Sequence, residues 1–558
     1  MEKGRLSLIV VILVALVSFF VNYRSHVSLL GGGDEGSYIA CGKLMSQALE
    51  FVYGDQAAEV GKRYLSAKHF VPEAFRVHNE DVSPVQVVSG WNKGFSFFSI
   101  PFWWIAPDNG WQFVTPIAGA ISILTIYLIG VTVSGPFTGV CAALLLATNW
   151  LQLWYSRYPM TEVVSQALIL LMVLCAVRLY KSHRLMPLVL FCALASLSSF
   201  VHFANAPMWI ILGAAISLRR IPLEKGDLSL LRSLRIRECV AKLCLVKDKL
   251  GSFFNTALLT LGVPFVATVG YWLLDPGIQR YTRLGKKMAS TSGRFSRIFD
   301  AVAVRLENLA LFIQWPMWIL VGVAVWLFIR NRGLDRKFWI LLGGLALCSF
   351  LVIISTGVGT PRVLYVARRN VPIVYPVLFL MSGVALHYIS TRFRRVVFGR
   401  VLTTGILLMV CSLQLAAFAP YSSLDQGKGM PEMASQIRAE LHARNNGHPQ
   451  FVVVPEMSAI FKAGLRYVYG VPVISFSEEV TPEVLKRMLD DGIQLFILDD
   501  FARKIAPVVK SIPNAELSPI STHIIRWGHA NQLGPTAYPR ISDRSNLKFY
   551  LYKVELKK

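Results

Sequence analysis

The sequence predicts a mostly α-helical polytopic membrane protein of about eleven transmembrane helices, closed by a small C-terminal α/β soluble domain. Three observations carry that expectation. The 558 residues are 54% hydrophobic and only 16% charged, with a mean hydropathy of +0.50, whereas a soluble chain carries roughly 25% charged residues. The apolar residues fall in blocks of helical length, so lipid is the natural solvent. The last 140 or so residues instead alternate short β-rich runs with an amphipathic helix pattern, as an α/β sheet requires.

Taken in order, the runs lie near 6–26, 112–133, 137–154, 162–180, 186–201, 206–218, 255–274, 311–329, 338–356, 371–389 and 401–419. Lys3 and Arg5 precede the first, as in a signal peptide, but "FFVNYRSH" (19–26) offers no small-residue cleavage site, so an uncleaved first helix is expected. With the N-terminus inside, the inside loops are "KSHR" (181–184), 219–253, "RNRGLDRK" (330–337) and "TRFRR" (391–395). The second of these holds nine Lys or Arg against four acids, a consistent positive-inside bias. That bias explains much of the net charge of +24, which in a soluble protein would raise nucleic acid as a partner; none is expected here. The division is a transmembrane unit over 1–419, with a large external segment at 27–111, and an external domain over 420–558.

In the tail, "FVVVP" (451–455), "VPVISF" (471–476) and "LFILDD" (495–500) read as strands. "TPEVLKRMLDDG" (481–492) has a Thr cap, an early Pro and a Gly stop, as a helix should. "LKFYLYKVEL" (547–556) is a closing strand. The tail contains neither a nucleophile elbow nor a Gly-rich phosphate loop. The eight cysteines show no disulfide or zinc pattern and read as thiols without a chemical role.

Ionisable residues collect on the external side. Asp34 and Glu35 follow the first span in "GGGDEGSY", Lys93 lies in "SGWNKGFSFFSIPFWW", Arg157 and Glu162 in "WYSRYPMTEVV", and His202 in "SFVHFANAPMW". Each alone has a structural reading: a helix cap or dipole partner for the acids, a snorkelling lysine, an interfacial histidine. Together they place charge at membrane depth in several short turns, where ionisable groups are costly and point to function. Two external segments also break the positive-inside rule, one with Lys286 and Lys287, the other with Arg362, Arg368 and Arg369. They read either as tolerated exceptions or as a basic surface for phosphate, which Arg matches with paired donors. Gly31, Gly32 and Gly33 let the backbone leave the first span sharply.

One span, an Asp-Glu pair in a large first external loop, a Lys-bearing turn before the second span and an Arg/acid-bearing short second loop together resemble the GT-C glycosyltransferases. The similarity is to the protein O-mannosyltransferase and aminoarabinose transferase group. It covers the first ~210 residues by motif and the remainder by architecture. It implies a GT-C fold with juxtamembrane helices in the first loop, and transfer of a sugar from a polyprenyl-phosphate carrier to a glycan, lipid or protein acceptor. The family's first-loop acid falls on Asp34 with Glu35 beside it, and its second-loop acid on Glu162 with Arg157 upstream. The family's Lys-Pro-Pro-Leu turn falls on "NKGF", which gives Lys93 the lipid-phosphate contact; both prolines are replaced, and Asn92 stands where some members carry a metal-binding Glu. His202 is nearest to a family lysine.

The resemblance therefore implies Asp34, Glu35 and Glu162 as catalytic acids. Lys93, Arg157, His202, Lys286, Lys287, Arg362, Arg368 and Arg369 become donor-phosphate contacts, and a divalent metal is left open. It implies a bacterial plasma membrane, with the active site on the periplasmic side. A flippase or transporter of a lipid-linked saccharide is the alternative; it would place charges inside the spans and show repeat symmetry, and these spans are nearly free of ionisable residues. An oligosaccharyltransferase would carry a Trp-Trp-Asp-type motif in its tail, which this tail lacks.

Overall fold

The computed structural model describes residues 2–24, 33–72, 75–90, 93–181, 185–202, 205–219, 254–276, 312–330, 343–344, 371–392, 396–422, 426–454, 462–499, 505–531 and 540–557. Among the described residues, six helices are long and apolar enough to cross a membrane: Gly4–Arg24, Gly110–Ser134, Thr161–Leu179, Phe254–Leu274, Val374–Arg392 and Val397–Pro420. Shorter apolar helices accompany them at Pro136–Thr148, Leu185–Val201, Ala206–Ser217 and Trp315–Ile329. The chain is an integral membrane protein. Ten of the expected spans thus fall on helices; the run at 338–356 lies outside the described residues except for Gly343 and Gly344.

The first part of the chain orders as α1 (Glu2–Arg24), α2 (Gly33–Ala48), β1 (Val52–Asp55), α3 (Gln56–Gly61), β2 (Phe75–Asn79), β3 (Val85–Ser89) and α4 (Gly94–Ile105). Strands β1, β3 and β2 form a small antiparallel sheet in that order. The bundle follows with α5 (Val114–Ser134), α6 (Pro136–Thr148), α7 (Trp150–Tyr155), α8 (Thr161–Lys181), α9 (Leu185–Val201) and α10 (Ala206–Arg219). The run expected as one span at 137–154 is two helices. Asn149 breaks it because its side chain accepts from the amides of Leu151 and Gln152 at 3.1 and 3.3 Å, capping α7 as a separate helix.

The next span carries a π turn, Leu258–Gly262, which runs directly into α11 (Val263–Leu274). It packs on α9 and α10 through a polar seam. The Thr260 hydroxyl donates to the Gly213 carbonyl at 3.3 Å and meets Ser217 Oγ at 3.1 Å, and Thr268 donates to Ser199 Oγ at 2.8 Å. Such pairs hold helices together where burial of apolar surface gives no net drive. The bundle ends with α12 (Trp315–Ile329), α13 (Val374–Arg392) and α14 (Val396–Ser422). Gly130 of α5 and Gly139 of α6 touch so closely that a Cβ on Gly130 would lie 2.6 Å from Gly139 Cα; small residues permit that approach.

Beyond the bundle come β4 (Gln426–Lys428), α15 (Met430–Ala443), β5 (Gln450–Val454), β6 (Val473–Ser475), α16 (Pro482–Asp490), β7 (Gln494–Asp499), α17 (Ile505–Lys510), β8 (Ala515–Asn531) and β9 (Arg540–Leu556). They form a six-stranded mixed sheet, ordered β4-β8-β9-β7-β5-β6, in which β5 pairs in parallel with both β6 and β7. Its central strands are buried on both faces. Phe451, Val453, Leu495 and Ile497 pack in one core with Cys41, Met45, Tyr53, Phe70 and Val87 of the first inter-span segment. Val452, Val454, Phe496 and Leu498 turn the other way, onto Met433 and Ile437 of α15 and onto Trp103 and Trp111. The first inter-span segment and the C-terminal sheet therefore share their hydrophobic core.

Candidate active site

Helices α2 and α4 lie side by side and run parallel. The Tyr38 and Phe95 rings meet at a tilt with centroids 5.8 Å apart, and Ser96 donates to the Tyr38 carbonyl at 2.9 Å. At the far end Trp104 donates to the Ser46 carbonyl at 3.0 Å. This register brings the start of α2, with Asp34 and Glu35, to the same end of the pair as Lys93. Helix α2 is described over Gly33–Ala48, so Asp34 and Glu35 both belong to it.

Lys93 immediately precedes α4 and is 1% exposed. Its ammonium donates to the Ser89 carbonyl at 2.7 Å and to Asp275 Oδ1 at 3.2 Å, and forms an ion pair with that carboxylate, with Oδ2 3.0 Å away. Its amide donates to Tyr271 Oη at 2.9 Å. Asp275 is 0% exposed and caps the C-terminal end of α11, with its own amide donating to the Tyr271 carbonyl at 3.0 Å. Cys41 and Tyr53 flank the pair. Burial pushes the Cys41 thiol up, with Lys93 pulling in the opposite sense, and burial pushes the Tyr53 hydroxyl up, so both stay neutral.

The position of Lys93 depends on Gly94. A Cβ there would lie 2.1 Å from Val201 Cα and 2.7 Å from the Phe200 carbonyl carbon. The bare glycine lets the start of α4 press against the end of α9, beside His202, which is half-buried. From there a continuous set of contacts follows the same rim of the bundle. The Asn205 amide donates to the His202 carbonyl at 2.9 Å, and its side chain donates to Ser165 Oγ at 3.0 Å, one turn from Glu162. Gln166 donates to the Val371 carbonyl at 2.7 Å, at the entry to α13. Glu162 opens α8 and is 4% exposed. Arg157 is 1% exposed; its guanidinium donates to the Ser422 carbonyl at 3.5 Å and lies 5.6 Å from the Trp154 ring and 5.5 Å from the Phe418 ring.

Lys93, His202 and Glu162 thus lie along one rim, with the acids of α2 at the Lys93 end of its parallel pair. Lys286, Lys287, Arg362, Arg368 and Arg369 lie outside the described residues. Among the described residues, no three His, Cys, Asp or Glu come together to hold a metal ion. Sequence reasoning missed Asp275, Tyr271 and the role of Gly94. Asp275 carried a usable signal: in "GYWLLD" it is the acid at the very end of an apolar span, the same pattern that singled out Asp34.

No family model matches the chain, and no curated protein matches it in sequence. The fold does have solved counterparts. ArnT from Cupriavidus metallidurans, in a crystal structure bound to undecaprenyl phosphate, superposes with a TM-score of 0.57 at 12% identity, covering 98% of this chain and 97% of that one. The fold is that of the GT-C glycosyltransferases. The apo state of the same ArnT gives a TM-score of 0.54 at 11% identity with the same coverage. The archaeal oligosaccharyltransferase AglB from Archaeoglobus fulgidus, in complex with an inhibitory peptide and a dolichol-phosphate, gives 0.52 at 11% identity, covering 88% of this chain and 69% of that one. The order of a first span, a juxtamembrane unit, a helical bundle and a terminal sheet is thus shared with ArnT along nearly the entire length of both chains.

Proposed function

We propose that the chain is an inverting glycosyltransferase that moves a sugar from a polyprenyl-phosphate carrier to an acceptor hydroxyl or lipid phosphate. The observation that carries this reading is the buried Lys93 ammonium on the rim of a GT-C bundle, at the same end of the α2–α4 pair as Asp34. The ammonium pairs with Asp275, and ionisable groups kept at membrane depth mark function; a lipid phosphate is an anion that arrives at that depth.

In this mechanism the acceptor oxygen attacks the anomeric carbon in line, and the bond from that carbon to the phosphate oxygen breaks. The phosphate leaves with the electron pair, and the configuration inverts. Asp34 accepts the acceptor's hydroxyl proton as it attacks. Glu35 and Glu162 hold acceptor or sugar hydroxyls. Lys93, with Arg157, His202, Lys286, Lys287, Arg362, Arg368 and Arg369, neutralises the departing phosphate. The residues over 1–419 form the catalytic unit and those over 420–558 cover it. The charge bias of the loops supports a plasma membrane with this face outward, periplasmic in a bacterium.

Transfer from a radiolabelled polyprenyl-phosphate sugar by the purified full chain is the test. Asp34→Asn should lower turnover by about 100-fold or more while donor binding is kept. Full transfer by that variant would remove Asp34 as the base. Movement of the labelled lipid across liposomes without any transfer product would replace the reading with a flippase.

A further inference from the structure

We propose that the far half of the β8–β9 ribbon, beyond its pairing with β7, forms with β4 a docking surface for the anionic headgroups of the surrounding phospholipids. Over 426–428, 524–531 and 540–548 the chain carries five Lys or Arg against one acid, Asp543. The strand register gathers four of these cations on one face. Lys428 lies opposite Arg526, and the same row continues across β9 at Asn546. Two residues along in either direction, Arg544 lies opposite Gly528 and Lys548 opposite Ile524. Residues two apart on a strand share a face, so Lys428, Arg526, Arg544 and Lys548 mark out a patch of about 13 by 10 Å. Arg540, opposite Asn531 beyond the bulge, falls on the other face.

The other face is taken up by α15. His523 Nδ1 meets Gln436 Oε1 of that helix at 3.1 Å, and Phe549 packs in one core with Met433 and Ile437. Ile524 and Lys548 alternate with these two onto the opposite face, where Ile524 is 55% exposed and Lys548 is exposed. Cations at a sheet edge often serve only to block strand pairing, but Arg526 lies on β8, between β4 and β9, where there is no edge to guard. The placement of the patch selects its partner. Helix α14 ends at Ser422 and β4 begins at Gln426, a step that four residues bridge over no more than about 14 Å. Strand β8 runs antiparallel to β4. From Trp527, opposite Gln426, it therefore continues past the start of β4 for four more residues, about 13 Å, on the side from which the chain arrives from the span. The patch thus stands beside the headgroup layer where α14 leaves the bilayer. Phospholipid phosphates are concentrated in that layer, and attraction between them and a basic patch acts over a Debye length of about 8 Å.

The test puts the photo-crosslinker benzoylphenylalanine in place of Ile524, on the patch but not one of its cations. The full chain is irradiated in nanodiscs of phosphatidylcholine alone or mixed with phosphatidylglycerol, and the lipid adducts are identified by mass. In the mixed discs the adducts should carry phosphatidylglycerol in about tenfold excess over its share of the lipid, since each Lys or Arg near an anionic surface strengthens the attraction several-fold. In about 1 M salt, where the Debye length falls to about 3 Å, the excess should vanish. Combining Arg526→Ser, Arg544→Ser and Lys548→Ser should abolish it at low salt as well. Adducts that merely follow the lipid composition, an excess that salt leaves unchanged, or no lipid adduct in either disc overturn the proposal. These arms keep all four cations and stand even where the triple variant fails to fold. A folded triple variant that retains the excess overturns it too.

Discussion

Lys93 and Asp275 are both almost entirely out of solvent, and at the scale of single residues this pair governs the most specific expectations. Removing one partner of a buried ion pair leaves the other charge uncompensated and costs about 3–5 kcal/mol, whereas replacing both by apolar groups is far closer to neutral. Lys93→Met should therefore unfold at a clearly lower temperature than wild type, and Lys93→Met with Asp275→Leu should recover most of the loss. Thermal unfolding in detergent measures this. Under the proposed mechanism the double variant, though stable, transfers no sugar, which separates stability from chemistry at one position. Gly94 gives a second expectation. Its missing Cβ is what lets the backbone at Phe200 and Val201 approach. Gly94→Ala should destabilise by about 1–3 kcal/mol through overpacking and shift Lys93 away from the rim, lowering transfer beyond what the stability loss explains.

At the scale of elements, the break between α6 and α7 shows how far a hydropathy reading reaches. The run at 137–154 is apolar throughout and reads as one span. A single Asn side chain, accepting from two amides, divides it. Nothing in apolar periodicity reports where a backbone amide will find a side-chain acceptor, so the break was not legible. Asn149→Ala should cost about 1 kcal/mol by removing the cap; amide exchange over 150–155 would register the fraying. The strands at 451–455, 471–476 and 495–500 and the helix at 481–492 were legible to within a few residues, because buried strands and an amphipathic helix each leave a period in the sequence. The GT-C fold was legible from the placement of acids and a lysine around the first spans. The site was less so. Asp34, Lys93, Glu162 and His202 stood out as charges at span ends, while the pairing of Lys93 with Asp275 joins positions 182 residues apart and is fixed by how α4 and α11 each pack on α9.

At the scale of the whole molecule, the terminal sheet is bound to the juxtamembrane unit by polar contacts as well as by the common core. Asp55 caps α3 through the Ala58 amide at 2.9 Å, pairs with Arg466, and accepts from the Tyr467 hydroxyl at 3.0 Å. Both charges are buried, so Arg466→Ala should cost about 3–5 kcal/mol and make the 420–558 portion more susceptible to limited proteolysis. A more exposed clasp joins Glu479 to Lys68 at 3.3 Å and to His69 at 2.6 Å. Lys68 first, then His69, hold the Glu479 carboxyl below its ordinary value of 4.5. A carboxyl depressed in the folded state contributes stability that is full above its ordinary value and is lost as pH falls through the depressed one. Protection from hydrogen exchange over 64–70, taken relative to the intrinsic rates at each pH, should therefore fall as the solution is acidified below about 4.5, and Glu479→Gln should remove that dependence.

The π turn at Leu258–Gly262 has a consequence for how such a site could arise. A π turn is an α-helix with one residue added, and one residue corresponds to a rotation of about 100°. Within the turn Thr260 is seated on Gly213 and Ser217; after it, the helix has the register that brings Tyr271 and Asp275 to Lys93. A single-codon insertion could thus re-aim a carboxylate toward an existing lysine while every contact deeper in the bundle stayed as it was. Deleting Leu261 would reverse the step, swinging Asp275 off Lys93 without disturbing the helix that precedes it.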